Sequence, residues 1–228
     1  MILAAHQPAY LPWLGYLDRI ARSDAFVFLD TVQFEKNSFT NRNRVKTPQG
    51  PAWLTIPVKV KGHTHSTMQE LQIDNAQNWK IKHLKTLKMN YSKAPMFAAR
   101  WPKLEELYAR PFDLLSDLCF DHLVFWLAEL GVKRRLVRAR DLKARSQKSE
   151  LILDLCSELG ANEYLSGPFG KDYLDEKAFA ASGVAVSYHE FKSPEYPQLY
   201  GPFVPNLGVV DLWMNAADPS SILARKVS

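Results

Sequence analysis

The chain has 228 residues, a formal net charge of +5, 46% hydrophobic and 23% charged residues. This length and composition are those of an ordinary globular protein with one sizeable core. No stretch reaches the roughly 18 consecutive apolar residues that cross a bilayer, and no signal-peptide pattern opens the sequence. The two cysteines, Cys119 and Cys156, each lie in an apolar helical pattern, which predicts free thiols and a cytoplasmic setting.

The positive charge is concentrated between residues 31 and 100. This block holds twelve Lys or Arg residues against three acids, a net charge of +9. Such a block attracts phosphates, nucleic acid or an acidic carrier protein, because all three respond to the same long-range field. The alternative is a solvated, lysine-rich helix face.

The first thirty residues predict a strand, a loop, a helix and a second strand. ILAA (2–5) and AFVFLD (25–30) are apolar runs bounded by polar or turn residues, as in buried strands. Between them, Leu14, Leu17 and Ile20 recur at helical spacing. A crossover this compact favours a parallel pair of strands, and hence an α/β domain.

The middle of the chain predicts a β-hairpin and then helices. RNRVKTPQGPAWLTIPVKVKG (42–62) predicts two strands joined by the turn TPQGP. Helices are expected from Asn75 to about Tyr91 and from Pro111 to Gly131.

The last third returns to an α/β rhythm that would extend the same sheet. SELILDLCSELGA and KDYLDEKAFAASG predict helices, and NEYLSG and VAVSYHEF predict strands. We therefore predict a single α/β domain over residues 1–228. It would be Rossmann-like, with a mainly parallel sheet, a basic hairpin and a helical insertion at about 41–131.

The loop AHQPAYLPWLGY contains the candidate catalytic residues His6 and Gln7. His6 directly follows the first strand, where open α/β sheets bind ligands, and a neutral imidazole can take a proton from an amine or a hydroxyl. The alternative is a histidine packed against Pro8 and bonded to backbone. Gln7 would orient a carbonyl, or else cap the loop. Further residues of the loop could line a sugar or a base, although at least one aromatic is expected in the core: Tyr10, Trp13, Gly15 and Tyr16.

Asp30 and the polar run after it form a second focus. Asp30 ends the second strand and is expected to share the crevice with His6 as a third catalytic residue. The donors that follow suit a phosphate, a pyrophosphate or the pantetheine phosphate of a carrier: Gln33, Lys36, Asn37, Asn41, Arg42 and Asn43. A polar surface loop is the alternative.

Two further motifs carry weaker signals. SGPFGKDYLDE places Lys171 between a strand and a helix start, where anions bind, but the P-loop pattern is missing and a structural turn is the favoured interpretation. GHTHS offers His63 and His65 without a nearby Cys or acid, so we expect no metal site and assign no cofactor. Nucleic-acid binding is not expected, because no zinc-finger, RNP or helix-turn-helix pattern is present.

Five segments in order resemble the WbqC-like family: HQPAYLPWLGYLDRI, FVFLDTVQFEKNSFTNRNRVK, WLTIPV, LGANEYLSGPFGKDYLDE and YPQLYGPFVPNLGVVDLWMN. The resemblance implies a bacterial protein connected with lipopolysaccharide O-antigen or other surface-glycan biosynthesis. A weaker likeness is to nucleotidylyltransferases, whose first loop carries a histidine-glycine-histidine signature. Gly15 matches its glycine, but Tyr16 stands at its second histidine and cannot supply a cationic imidazole.

These features together predict a transferase. It would move an activated acyl or aminoacyl group onto an amine or hydroxyl of a small-molecule or sugar-nucleotide acceptor, with an acyl-carrier protein or a CoA thioester as candidate donor. The sequence has no compelling Cys or Ser nucleophile motif, which favours direct transfer. Two alternatives stay open: a nucleotide-dependent, nucleotidylyl-type transferase and a noncatalytic glycan-binding or scaffold protein.

Overall fold

A computed structural model describes residues 1–35, 38–59 and 66–223. Its strands in chain order are β1 (Ile2–His6), β2 (Ala25–Phe28), β3 (Arg42–Thr47), β4 (Gly50–Thr55), β5 (Arg135–Arg138), β6 (Glu163–Ser166) and β7 (Ala185–Tyr188). Its α-helices are α1 (Leu14–Arg22), α2 (Trp79–Tyr91), α3 (Phe97–Ala109), α4 (Leu115–Glu129), α5 (Lys148–Leu159), α6 (Glu176–Ala181), α7 (Val209–Asn215) and α8 (Ser220–Leu223).

Five strands form a parallel sheet in the order β5-β2-β1-β6-β7. With helices between the strands, this confirms the predicted α/β, Rossmann-like fold. The sheet is parallel because each strand returns through a helical crossover instead of a tight turn. The hairpin β3-β4 forms a separate two-stranded sheet, closed by a turn at residues 47–50 as predicted.

Each face of the sheet carries its own core, because successive side chains of a strand point to opposite faces. Ala4, Phe26 and Phe28 belong to the larger core, which includes residues of α1, the hairpin, α2 to α4 and α7. Leu3 and Val27 belong to the smaller core, to which α5 and α6 contribute. The insertion between β2 and β5 therefore adds its apolar residues to one face.

Two predicted helices begin later than expected. Helix α2 begins at Trp79, because Asn78 adopts a left-handed conformation with φ of 50° after a short 3-10 turn. Helix α4 begins at Leu115, because Leu114 is extended and forms a β-bridge with Gln72. In both cases the backbone before the helix is held in another conformation.

Helix α1 is unusually deeply buried. Seven of its nine residues, Leu14 to Ile20, are shielded from solvent, including its Asp and its first Arg. The chain after β7 crosses over it: Gly208 forms a β-bridge with Trp13, and the Phe191 ring lies against Gly15. None of the described helices has the length and apolarity that a bilayer crossing requires.

Candidate functional site

The switch point of the sheet lies between β1 and β6. The chain runs from β1 outward through β2 to β5, and then returns to β6 and β7 on the other side of β1. The loops after β1 and β6 therefore diverge, and in open parallel sheets this divergence leaves a crevice in which ligands bind. His6 ends β1 and Gly167 follows β6, so both lie at this crevice.

His6 is a neutral imidazole with a defined orientation. Its Nδ1 lies 2.9 Å from the carbonyl oxygen of Gln7, which assigns the proton to Nδ1 and leaves Nε2 as the acceptor. Its ring makes edge contacts with Trp13 and Tyr16, at centroid distances of 5.6 and 5.0 Å. Burial, and then the charge of Arg19, lower the pKa of His6 to about 3. His6 is therefore neutral and weakly basic at pH 7.

The backbone of Gln7 orients the site. Its carbonyl oxygen also accepts a hydrogen bond from the Tyr16 hydroxyl at 3.3 Å. The partly exposed side-chain amide of Gln7 bonds no residue in the described part of the chain, so it is available to a ligand. Tyr16 itself is buried, and it fixes the loop rather than projecting from it.

Arg19 reaches the same crevice from α1. The guanidinium lies where the Cβ of any residue other than glycine at position 167 would be, since Nη1 would overlap it. Its charge acts on His6 as well as on the hydroxyls of Tyr164, Tyr16 and Tyr173. Arg19 is 6% exposed.

Asp18 and His189 form a buried pair beside Arg19. The Nε2 of His189 lies 2.7 Å from Asp18 Oδ2, which also accepts a hydrogen bond from Arg22 at 2.6 Å. The backbone N–H of His189 donates to the carbonyl of Ser166, next to Gly167. The pair therefore joins the chain after β7 to α1 at the same edge of the sheet.

Sequence reasoning missed Arg19, Asp18 and His189. The helical spacing of Leu14, Leu17 and Ile20 suggests that the intervening charges face solvent. One signal was available. His189 lies at the polar end of the predicted strand VAVSYHEF, much as His6 follows the first apolar strand.

Asp30 is completely buried and is tied to β5. Its Oδ2 accepts hydrogen bonds from Nε of Arg138 at 2.8 Å and of Arg140 at 2.7 Å, while its Oδ1 accepts the backbone N–H of Arg140. Both arginines also pair with Asp117, so two acids neutralise two bases. Among the described residues the structure places Arg138 and Arg140, not His6, on the Asp30 carboxylate. Its predicted cooperation with His6 stays a prediction.

Three other predicted residues hold the fold around the loop. Tyr10 is fully buried, and its hydroxyl bonds Nδ1 of His83 at 2.8 Å and the hydroxyl of Tyr108. Asn41 donates to the carbonyl of Ile56 at 2.9 Å. Asn43 donates to the carbonyl of Leu11 at 2.6 Å. A ligand role for these side chains would need them to exchange existing bonds.

An aromatic row runs from His6 to the surface and consists of Trp13, Phe39 and Trp53. Phe39 lies 5.4 Å from Trp13 and 5.6 Å from Trp53, measured between ring centroids. The guanidinium of Arg42 lies over the Trp53 ring at 4.4 Å. Phe39 and Trp53 are 39% and 45% exposed, so they offer apolar ring faces to a planar or sugar ring.

The remaining predicted residues lie at varied places. Gly15 is buried inside α1, Gln33 is exposed in a β-bridge with Thr67, and Lys171 is exposed with its ammonium 5.0 Å from the Tyr188 ring centre. Lys36 and Asn37 fall outside the described residues. So do His63 and His65.

Two surface depressions lie away from this edge of the sheet. One, of about 350 Å³, is lined by residues including Lys59, Asp74 and Asp113, and the other, of about 390 Å³, by residues including Lys46 and Tyr200. Neither depression is lined by a predicted site residue. The switch point, in contrast, carries His6, Gln7 and the buried Arg19. Within the described ranges, no three His, Cys, Asp or Glu side chains are grouped to hold a metal ion.

The profile of the WbqC-like protein family matches residues 7–221. The chain belongs to the WbqC-like family. It is also 35% identical over 215 residues to the uncharacterized protein Rv1507c of Mycobacterium tuberculosis, covering 93% of each chain. No solved structure matches this WbqC-like chain significantly. The family match begins at Gln7, so the loop after β1 lies within the family region.

Proposed function

We propose that this WbqC-like protein is a transferase that moves an activated acyl or aminoacyl group onto an amine or hydroxyl of a sugar-nucleotide or other small-molecule acceptor. The observation that carries the proposal is the position of His6 at the switch point, with Nδ1 bonded to the Gln7 carbonyl and Nε2 left as an acceptor. An imidazole oriented in a ligand crevice can accept a proton, and the low pKa of His6 requires that substrate binding raise it toward neutral pH.

The chemistry needs one proton acceptor. The acceptor amine or hydroxyl attacks the carbonyl carbon of the donor, and its proton passes to Nε2 of His6. The bond to the thiol or other leaving group then breaks, and the leaving group takes the proton back. The free side-chain amide of Gln7 would bind the carbonyl oxygen as it gains charge.

The aromatic row gives the acceptor a place. It begins in contact with His6 through Trp13 and ends at the exposed ring of Trp53. Sugar and base rings bind to such faces. The row therefore supports an acceptor that carries a ring and extends from the crevice to the surface.

The setting we propose is surface-glycan biosynthesis in the cytoplasm. Family membership supports the pathway, and the two free, buried cysteines support a reducing compartment. The nucleotidylyl-type alternative is less favoured, because Tyr16 is buried and bonded to Gln7 where that chemistry uses a histidine.

The test is a transfer assay with acyl-CoA, acyl-carrier-protein and aminoacyl donors against amino-sugar and hydroxyl-bearing sugar nucleotides, read by mass spectrometry. We expect a product with one donor class and a loss of about 10² to 10⁴ in rate for His6→Gln. The control is Lys103→Gln, a change at an exposed position of α3, which should transfer at the wild-type rate.

The variant and the control must both fold, which circular dichroism and thermal unfolding check. If His6→Gln transfers at the wild-type rate, His6 is not the proton acceptor and the proposed mechanism is wrong. If no donor is consumed while unmodified glycans bind, the chain is a noncatalytic glycan-binding protein. If only nucleoside triphosphates with magnesium bind, the nucleotidylyl-type alternative replaces the proposal.

A further inference from the structure

Five Asp, Lys or Arg side chains are buried in the described part of the chain: Asp18, Arg19, Asp30, Lys46 and Asp211. Four of them have clear partners. The two acids at the carboxyl edge of the sheet, Asp18 and Asp30, are each bonded by two basic side chains, as described above.

Lys46 and Asp211 also have their bonds in place. The Lys46 ammonium donates to the Gln198 side chain and to the Pro202 carbonyl. The Asp211 carboxylate accepts from the hydroxyls of Tyr91 and Tyr196. Neither side chain therefore needs a ligand.

Arg19 is the exception among these five. Its Nε is buried and has no hydrogen-bond partner, and neither Nη atom bonds or pairs with any residue that the structure describes. The neighbouring Asp18 carboxylate is turned to Arg22 and His189 instead. A buried guanidinium stays charged, and leaving such a charge unpaired is costly, so the site has an unmet need for an anion.

Within the described residues, the surroundings of Arg19 supply no carboxylate that bonds its guanidinium. Gly167 brings its Cα hydrogen to Nη1, where a larger residue would overlap the guanidinium. The titratable groups that act on Arg19 are the hydroxyls of Tyr164, Tyr16 and Tyr173. The Tyr16 hydroxyl donates to the Gln7 carbonyl, and the Tyr164 and Tyr173 hydroxyls bond each other. All three are neutral at pH 7, so none of them balances the charge of Arg19.

The position of Arg19 is that of a ligand group. It lies at the crevice between β1 and β6, beside His6 and the loop after β6. Lys171 lies on the short 3-10 helix that follows Gly167, and its ammonium is 5.0 Å from the Tyr188 ring centre. The planar guanidinium fork of Arg19 matches two oxygens of a phosphate group, which carries more negative charge than a carboxylate.

We propose that Arg19 binds a phosphate group of the substrate at the switch point, with the guanidinium fork holding two phosphate oxygens. This inference rests on the proposed function only in taking the crevice as the substrate site. It also assigns the phosphate of a sugar nucleotide, or of a pantetheine-bearing donor, to α1 and not to the basic run after β2.

The bound phosphate would change His6 as well. A negative charge beside Arg19 offsets the positive field that now acts on the imidazole. The pKa of His6 would then rise from about 3, which makes Nε2 a better proton acceptor when substrate is present. Binding and proton transfer would thus be coupled through one guanidinium.

The experiment is isothermal titration calorimetry, which measures the affinity of the full chain for inorganic phosphate and for pyrophosphate at constant ionic strength and pH 7. Arg19→Met keeps much of the side-chain length and removes the charge. Arg134→Met is the matched control, because Arg134 is exposed and directly precedes β5, at the amino edge of the sheet and away from the crevice. We expect at least a tenfold loss of affinity for Arg19→Met and no change for Arg134→Met.

Two further readouts separate binding from folding. Without phosphate, Arg19→Met should unfold at the wild-type temperature or higher, because it removes an unpaired buried charge. Side-chain NMR should show the His6 pKa rising on addition of phosphate to the wild type and not to Arg19→Met.

The inference is overturned if the wild type binds neither anion, if Arg19→Met binds them as the wild type does, or if that variant unfolds well below the wild type without phosphate. Arg19-dependent binding without any transfer activity would contradict the proposed function and leave the phosphate site intact. Transfer activity that Arg19→Met does not weaken would contradict the phosphate site and leave the proposed function intact.

Discussion

At the scale of single residues, buried charge is the feature that organises this edge of the sheet. Asp30 illustrates it: both carboxylate oxygens accept bonds, and the partners Arg138 and Arg140 lie more than a hundred residues later. The sequence predicts Asp30 at the end of the second strand, and the structure places it two residues after β2 ends at Phe28. The sequence cannot show which cations bond to it. The same limit hides Arg19, whose burial depends on segments far along the chain.

We predict that Asp30→Asn destabilises the protein by about 3–5 kcal/mol, because breaking a buried ion pair leaves uncompensated charge. The amide would keep one acceptor oxygen but turn its N–H groups toward donors, either the two guanidiniums or the backbone N–H of Arg140. Urea unfolding followed by circular dichroism measures the change. Asp121→Asn is the control, since its pair with Arg110 is partly exposed and should contribute less than about 1 kcal/mol. Equal effects of the two changes would contradict the prediction.

At the scale of elements, the pattern of apolar residues predicts the strands that are buried on both faces of the sheet. It does not predict elements that are only partly buried, such as β5. β1, β2, β6 and β7 are found close to their predicted places. β5 has the sequence RLVR at the edge of the sheet, and its flanking arginines do not mark a parallel strand. Helix α3 contains Pro102, a residue that argues against a helix except in its first turn.

The packing of α1 against the chain after β7 yields a second stability prediction. Alanine at position 15 should gain about 1 kcal/mol of helix propensity over glycine. However, its Cβ would lie 2.9 Å from Cδ1 of Phe191 and 3.2 Å from Nε1 of Trp13, and such overpacking costs about 1–3 kcal/mol. Because both rings are large and packed, we expect Gly15→Ala to be net destabilising in urea unfolding.

A double-mutant cycle identifies the contact responsible. Phe191→Leu shortens the side chain that meets the new methyl group, so Gly15→Ala should be less harmful in that background. Additive effects of the two substitutions would show that Phe191 is not the obstacle.

At the scale of the whole molecule, the strand order decides where the site lies. The sequence predicts a Rossmann-like fold and a ligand loop after β1, but it does not show that β6 lies beside β1. That pairing joins Ile2 to Glu163, which are far apart in the sequence, and it brings Gly167 to Arg19. Local periodicity carries no information on such distant pairings, so the predicted site included the β1 loop and missed its partners.

The buried histidines make the whole molecule sensitive to acid. Burial lowers the pKa of His83 to about 4 and that of His122 to about 3, and the positive charges of Lys80 and Arg110 add to the effect at His122. In the unfolded chain their pKa is about 6.5. Between these values the unfolded state binds protons that the folded state does not, so stability is complete above about pH 6.5 and is lost as the pH falls.

His122 allows this loss to be measured in isolation. It is 1% exposed among the rings of Tyr10, Tyr108 and Phe112, and its Nδ1 has no hydrogen-bond partner among the described residues. From pH 7 to pH 5 it should cost the wild type about 2 kcal/mol, at about 1.36 kcal/mol per pKa unit. We therefore expect urea unfolding of His122→Leu to lose about 2 kcal/mol less than the wild type over this range. Parallel losses in the two proteins would mean that His122 is already protonated in the fold, or that its environment admits water.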